Sequence, residues 1–84
     1  MTFQGILVGG ISNLGGESTG WEIQLDDPLI VEGRTLTTIE VDLDLDRIAP
    51  YANSHVEATG SLLVRSGIER QFWPVLEIES IRKV

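Results

Sequence analysis

The sequence contains no cysteine. Disulfide bonds, thiolate metal sites and cysteine nucleophiles are therefore excluded, and a reducing cytoplasm is the expected location. Long apolar runs are missing too: the longest cover about four residues, whereas a membrane-spanning helix needs about 20. The first residues, from Met1 to Gly5, have no basic side chain and no long apolar stretch, so we expect no signal peptide.

Basic residues are scarce. Six lysines and arginines stand against 13 aspartates and glutamates, which gives a formal net charge of −7. This charge repels phosphate backbones at long range, although a local basic patch can outweigh the total.

The 84 residues predict one domain, residues 1–84, and the hydrophobic fraction of 42% is typical of a globular chain.

The dominant pattern is an alternation of apolar and polar residues, the period of a β-strand. Glycine-rich or polar breaks separate the strands. The predicted strands are Thr2–Ile11, Trp21–Asp26, Thr35–Leu43, His55–Arg65 and Phe72–Arg82. Ser12–Gly20 is predicted to be a surface loop with a turn at Gly15 and Gly16, and Leu29–Arg34 a loop or a short ragged strand.

The strands have predictable faces. Trp21, Ile23 and Leu25 point one way, so Trp21 is expected in the core. In the last strand the inward register shifts between Ile78 and Ile81, which indicates a bulge or the end of the strand. The inner face of the fourth strand is predicted to comprise Val56, Ala58, Gly60, Leu62 and Val64.

One helix is predicted, at Leu45–Ser54. Leu45, Ile48 and Tyr51 recur at helical spacing, and Asp44 or Asp46 can serve as the N-cap. Pro50 is awkward in the middle of a helix and favours a short helix or two separate turns.

This element order resembles the oligonucleotide/oligosaccharide-binding (OB) fold. The resemblance covers about residues 35–82 and is clearest in Val-Glu-Ala-Thr-Gly-Ser-Leu from Val56 and in Pro-Val-Leu-Glu-Ile-Glu-Ser-Ile from Pro74. It implies an all-β, five-stranded barrel with one short helix between strands 3 and 4. It also implies ligand binding across strands 2 and 3, between the first–second and fourth–fifth loops. Chain order alone also permits another small barrel or an open meander.

Acidic residues at every second position run along the end of the third strand and beyond it. This acidic ladder comprises Glu40, Asp42, Asp44 and Asp46. We interpret it as a solvated strand face whose last carboxylates cap the helix. A calcium loop is rejected because Arg47 and Asn53 occupy the positions that need glycine and glutamate. We expect no metal site and no cofactor.

Catalytic signals are weak. His55 is the only histidine, and nothing beside it indicates a nucleophile turn. The glycine-rich stretch Gly9–Gly20 lacks the Gly-Lys-Ser/Thr ending and the following helix of a phosphate loop. We therefore expect a chain that is not an enzyme.

The predicted function is a non-catalytic binding or interaction module whose partner is a protein or a small polar ligand. The alternative is single-stranded nucleic-acid binding through Trp21, Arg34, Arg65 and Arg70. Trp73 either anchors a partner or covers one end of the barrel. The candidate partner face comprises Glu22, Gln24, Arg34, Glu40, Asp42, Arg65, Arg70 and Trp73.

Overall fold

The computed structural model describes residues 1–11 and 16–84. Five strands form a closed barrel in the order β1-β2-β3-β5-β4, which excludes the open meander. All neighbours are antiparallel except β3 and β5, which run parallel. The strands are β1 Thr2–Gly9, β2 Trp21–Val31, β3 Arg34–Asp42, β4 His55–Arg65 and β5 Trp73–Lys83. Between β3 and β4 lie the helix α1 (Leu45–Ile48) and a 3₁₀ turn (Ala49–Tyr51).

The core lies inside the barrel and contains inward-facing residues of every strand. Ile48 of α1 is fully buried in the same cluster, so the short helix contributes to the barrel core. Each fully buried Val, Leu or Ile side chain contributes about 1.5–3 kcal/mol by leaving water. The cluster comprises Leu7, Ile23, Ile39, Val41, Ile48, Val56, Ala58, Leu76 and Ile78.

Two glycines lie where strands approach most closely. A Cβ at Gly5 would overlap the carbonyl of Gln24, and a Cβ at Gly60 would overlap the carbonyl of Glu77. β1 pairs with both β2 and β4, as a first barrel strand must. Along β4 and β5 the register shifts between Thr59 and Gly60, which leaves Glu79 as an extra residue and confirms the predicted bulge.

Strand 2 is longer than predicted. It continues through Pro28 to Val31 instead of ending at Asp26. At the predicted end of the strand, only the pairing with β3 is irregular, between Gln24 and Leu29. A two-residue turn, Glu32 and Gly33, with φ angles of 50° and 75°, joins β2 to β3. Of the two alternatives predicted for Leu29–Arg34, a loop or a short ragged strand, the strand is correct for Leu29 to Val31, because pairing with β3 compensates for weak strand signals.

Other boundaries also differ from the prediction. β1 ends at Gly9 rather than Ile11, and of the predicted Ser12–Gly20 loop, residues 12–15, including Gly15, lie outside the described residues. β3 begins at Arg34 and ends at Asp42, one residue earlier than predicted at each end. The predicted inward residue Val64 is 42% exposed because it lies near the end of β4.

The helix is short, as Pro50 indicates. Asp44 occupies the N-cap position, but its carboxylate makes no capping hydrogen bond. The acidic ladder therefore ends on the strand at Asp42, and Asp46 belongs to the helix. Of the residues at helical spacing, Leu45 is exposed and Ile48 is buried.

Candidate binding face and loop latch

The outer surface of β2, β3 and β5 brings together most of the predicted partner face. Glu22 pairs with Glu40 across β2 and β3, and Gln24 pairs with Thr38. On the other side of β3, Asp42 lies beside Glu77 of β5.

Arg65, at the end of β4, completes one half of this face. Its guanidinium donates to Asp42 Oδ2 at 2.9 Å and to Glu77 Oε2 at 3.0 Å. The hydrogen bond to Asp42, followed by that to Glu77, raises the pKa of Arg65. The arginine therefore joins three strands through two carboxylates, and its charge is already neutralised within the chain.

Trp73 connects the two halves of the face. It is paired with Arg65 across β4 and β5, and its ring centroid lies 5.8 Å from the Arg65 guanidinium carbon and 5.0 Å from that of Arg70. Both distances allow cation–π attraction. The buried indole Nε1 has no hydrogen-bond partner among the described residues. Trp73 is half-buried and forms part of an ion-pair network on the outer barrel wall.

Glu40 and Arg70 form the least exposed ion pair of the face. The side chains are 11% and 21% exposed, and Arg70 Nη1 donates to Glu40 Oε2. Glu40 Oε1 accepts the backbone N–H of Thr19 at 3.0 Å. Burial raises the pKa of Glu40, but the hydrogen bonds from Thr19 and Arg70 outweigh it, so that the pKa lies below its ordinary value. The carboxylate is thereby held ionised beneath the loops.

Glu17 ties the loop between β1 and β2 to the loop between β4 and β5. Its carboxylate accepts the backbone N–H groups of Glu69 and Arg70, each at 3.0 Å. In return, Arg70 Nη1 donates to the backbone carbonyl of Glu17 at 3.1 Å. We call Glu17, Thr19, Glu40 and Arg70 the loop latch, since they hold the two loops together over β3.

Gly67 makes the latch sterically possible. A Cβ at this position would overlap the carboxylate of Glu17. Sequence reasoning identified Glu40 and Arg70 but missed Glu17, Thr19 and Gly67. Nothing in the chain around Glu17 signals its role, because its partners lie more than 50 residues away.

Comparison with models of known protein families, with curated proteins and with solved structures finds no match in any of the three. The site must therefore be interpreted from its own chemistry.

The residues proposed for nucleic-acid stacking are dispersed. Trp21 is half-buried against the core, and its ring lies over Gly9 of β1. The Arg34 guanidinium carbon lies 4.2 Å from the ring centroid of Phe72. Neither joins the network around Trp73, so the predicted set does not form one stacking surface.

The cavity on this face is small. Its volume is about 160 Å³, and its lining includes Leu36, Glu40, Arg70 and Phe72. Typical small-molecule sites measure about 300–1,000 Å³. The latch thus leaves little cavity volume on this face. Such a surface suits a partner that docks against it better than a small molecule that enters a pocket.

His55 lies elsewhere, on β4. Its Nε2 is 2.6 Å from Asp26 Oδ2, and both side chains are more than a third exposed. The hydrogen bond to the Asp26 carboxylate raises the pKa of His55. Among the residues described, no group of three or more His, Cys, Asp and Glu side chains is placed to hold a metal ion. No helix in the described part of the chain is both long and apolar enough to cross a membrane.

Proposed function

We propose that this chain is a non-catalytic binding module of the OB type whose partner is a protein that presents a cationic segment. Its OB character is supported by the strand order, by the parallel contact of β3 with β5 and by the helix between β3 and β4. A cytoplasmic location is part of the proposal and rests on the absence of cysteine.

The neutralisation of the arginines carries the choice of partner. Arg65, Arg70 and Arg82 each form ion pairs with carboxylates of the same chain. A phosphate would have to compete with those carboxylates for the same guanidinium groups. With 13 acidic against six basic residues, the uncompensated charge of the surface is negative and favours a positively charged partner.

Single-stranded nucleic acid is the less supported partner. Such binders combine a basic groove with accessible aromatic rings. Here the ring of Trp73 is contacted by two guanidiniums, and Trp21 packs on the core. The small cavity beside Arg70 likewise gives little support to a small polar ligand at this face.

The non-catalytic part of the proposal is supported by the surroundings of His55. Its described hydrogen-bond partner is the Asp26 carboxylate, and no serine or threonine hydroxyl of the described residues bonds to it. A histidine-activated nucleophile would require such a hydroxyl.

Fluorescence anisotropy with three labelled probes tests the partner class. We expect a lysine-rich peptide to bind at low salt and to dissociate as salt is added, since exposed charges are screened. A glutamate-rich peptide and a single-stranded oligothymidine should not bind.

Salt-sensitive binding of the oligonucleotide would overturn the proposal if it weakened in Arg34→Ala. This variant is the informative one because Arg34 contacts Phe72 and makes no ion pair with a described residue, so its loss leaves the latch intact. Arg70→Ala alone would confound lost phosphate contacts with an opened latch.

A further inference from the structure

A second groove lies between β1 and β2, away from the latch. Its volume is about 400 Å³, within the range of ligand sites. Apolar residues Phe3, Pro28 and Leu29 contribute to its lining. We refer to this cavity as the β1–β2 groove.

The groove exists because the two strands diverge. Pairing of β1 with β2 ends at Gly5 and Leu25, and pairing of β2 with β3 is interrupted between Gln24 and Leu29. Pro28 lies within this stretch and cannot donate to a neighbouring strand. The geometry therefore leaves an open space where a continuous sheet would have been.

One wall of the groove offers main-chain hydrogen bonds. The N-terminal amine of Met1 donates to the carbonyl of Gly60, and the N–H of Gly60 donates to the carbonyl of Met1, so Met1 faces β4. Successive residues of a strand point their main-chain groups to opposite sides. The N–H and carbonyl of Thr2 consequently face the groove, where β2 no longer pairs.

The charged residues that line the groove are acidic. Asp26, Asp27 and Glu57 line it, and no lysine or arginine does. Asp26 is bonded to His55 and Glu57 to Arg82. Asp27 makes no ion pair with a described residue and is exposed, so its charge is available to a ligand.

We infer that the β1–β2 groove docks an extended protein segment carrying lysine, whose ammonium group meets Asp27 and whose aliphatic stem lies against Phe3 and Pro28. A peptide fits better than a free amine because Thr2 offers a main-chain donor and acceptor, the contact by which sheets recognise added strands. Lysine suits the lining because its charged end and apolar stem match the carboxylates and the apolar residues. The inference rests on the proposed function and adds the site.

Two-dimensional ¹H–¹⁵N NMR of the full chain tests it. The probe is a capped Thr-Lys-Thr-Lys-Thr peptide, and a capped Thr-Glu-Thr-Glu-Thr peptide is the charge control. We expect shifts at Thr2, Gln4, Asp26 and Asp27 with the lysine peptide alone. Asp27→Asn should weaken binding about threefold, as the loss of one exposed charge pair does. Asp44→Asn, the same charge change outside the groove and without a capping bond to lose, should leave affinity unchanged.

The other outcomes are distinguishable. Shifts confined to Glu40, Arg70 and Trp73 would overturn the groove as the site and leave the proposed function standing. No response to the lysine peptide at low salt would overturn both. If cadaverine produced the same shifts at the same concentration as the peptide, the site would recognise a free amine and the choice of a protein segment would be wrong.

Discussion

The backbone N–H of Arg70 donates to the Glu17 carboxylate at 3.0 Å, while the Arg70 guanidinium donates to the Glu17 carbonyl at 3.1 Å. Each residue thus uses both its main chain and its side chain on the other. Reciprocal bonds of this kind fix two loops relative to each other, because displacement of one residue breaks both contacts. We therefore expect the loop latch to hold the described parts of both loops in place.

Glu17→Ala should loosen the loop between β4 and β5. The N–H groups of Glu69 and Arg70 lose a charged acceptor, and we expect the free energy of unfolding to fall by about 1–2 kcal/mol. Hydrogen exchange at these two amides should accelerate more than exchange in the strands. Glu69→Ala is the control, since its side chain is exposed and forms no hydrogen bond with a described residue. Unchanged exchange in Glu17→Ala would refute the latch.

Gly67→Ala should act through Glu17. Its methyl group would displace the carboxylate, and we expect a loss of about 1–2 kcal/mol in unfolding free energy. In a Glu17→Ala background the same substitution should cost much less, because the clashing carboxylate is gone. Urea denaturation of the four proteins of this double-mutant cycle measures the coupling. Additive effects would show that Gly67 is required for another reason.

Glu40→Gln should make the protein less sensitive to acid. Because the folded-state pKa of Glu40 is lowered, its ionised form stabilises the protein above the unfolded-state pKa, near 4.5, and this contribution is lost as pH falls through the folded-state pKa. We expect the substitution to cost about 2 kcal/mol at pH 7, between the values for exposed and buried pairs. The difference should shrink as the pH falls below 4.5.

Urea denaturation of both proteins from pH 3 to pH 7 measures this difference. Glu22→Gln is the matched control, since Glu22 lies opposite Glu40 and makes no ion pair with a described residue. Removing a like charge from that pair should be neutral or slightly stabilising. A constant difference between wild type and Glu40→Gln across the pH range would contradict the ion-pair role.

Asp26→Asn should lower the pKa of His55, whose rise is due first to the hydrogen bond with Asp26. A raised histidine pKa stabilises the folded state fully below the unfolded-state value, near 6.5, and the contribution disappears as pH rises through the folded-state pKa. Wild type should therefore exceed the variant in stability at pH 5.5, and the difference should shrink as the pH rises above 6.5. NMR titration of the single histidine measures the pKa, and 1 M salt should reduce the difference. Identical titration curves would refute the pair.

Regular alternation made the strands predictable. In β4 and β5 inward and outward residues alternate over long stretches, so the strands and the bulge near Glu79 could be predicted. The continuation of β2 through Asp27 and Pro28 could not be predicted, because both residues are poor strand formers whose place depends on a partner strand. Asp44 and Asp46 were grouped with the strand ladder because the sequence pattern does not mark where a twisting strand ends.

The candidate face was predicted in part. Pairing register brings Glu22 beside Glu40 and Arg65 beside Trp73, and the OB resemblance indicated this side of the barrel. The state of the arginines could not be predicted. Composition counts charges, whereas only coordinates show which carboxylate each guanidinium meets.

The sequence by itself determined five strands of alternating apolar and polar residues, a short helix limited by Pro50 and a surface of negative net charge. These properties follow from local periodicity and composition. Only the tertiary structure decided that the Arg70 guanidinium is hydrogen-bonded to Glu40 and Glu17, which lie 30 and 53 residues away in the chain. It also decided that β1 and β2 diverge into an acidic groove. Such contacts depend on where strands end and how loops cross, and no local pattern encodes either.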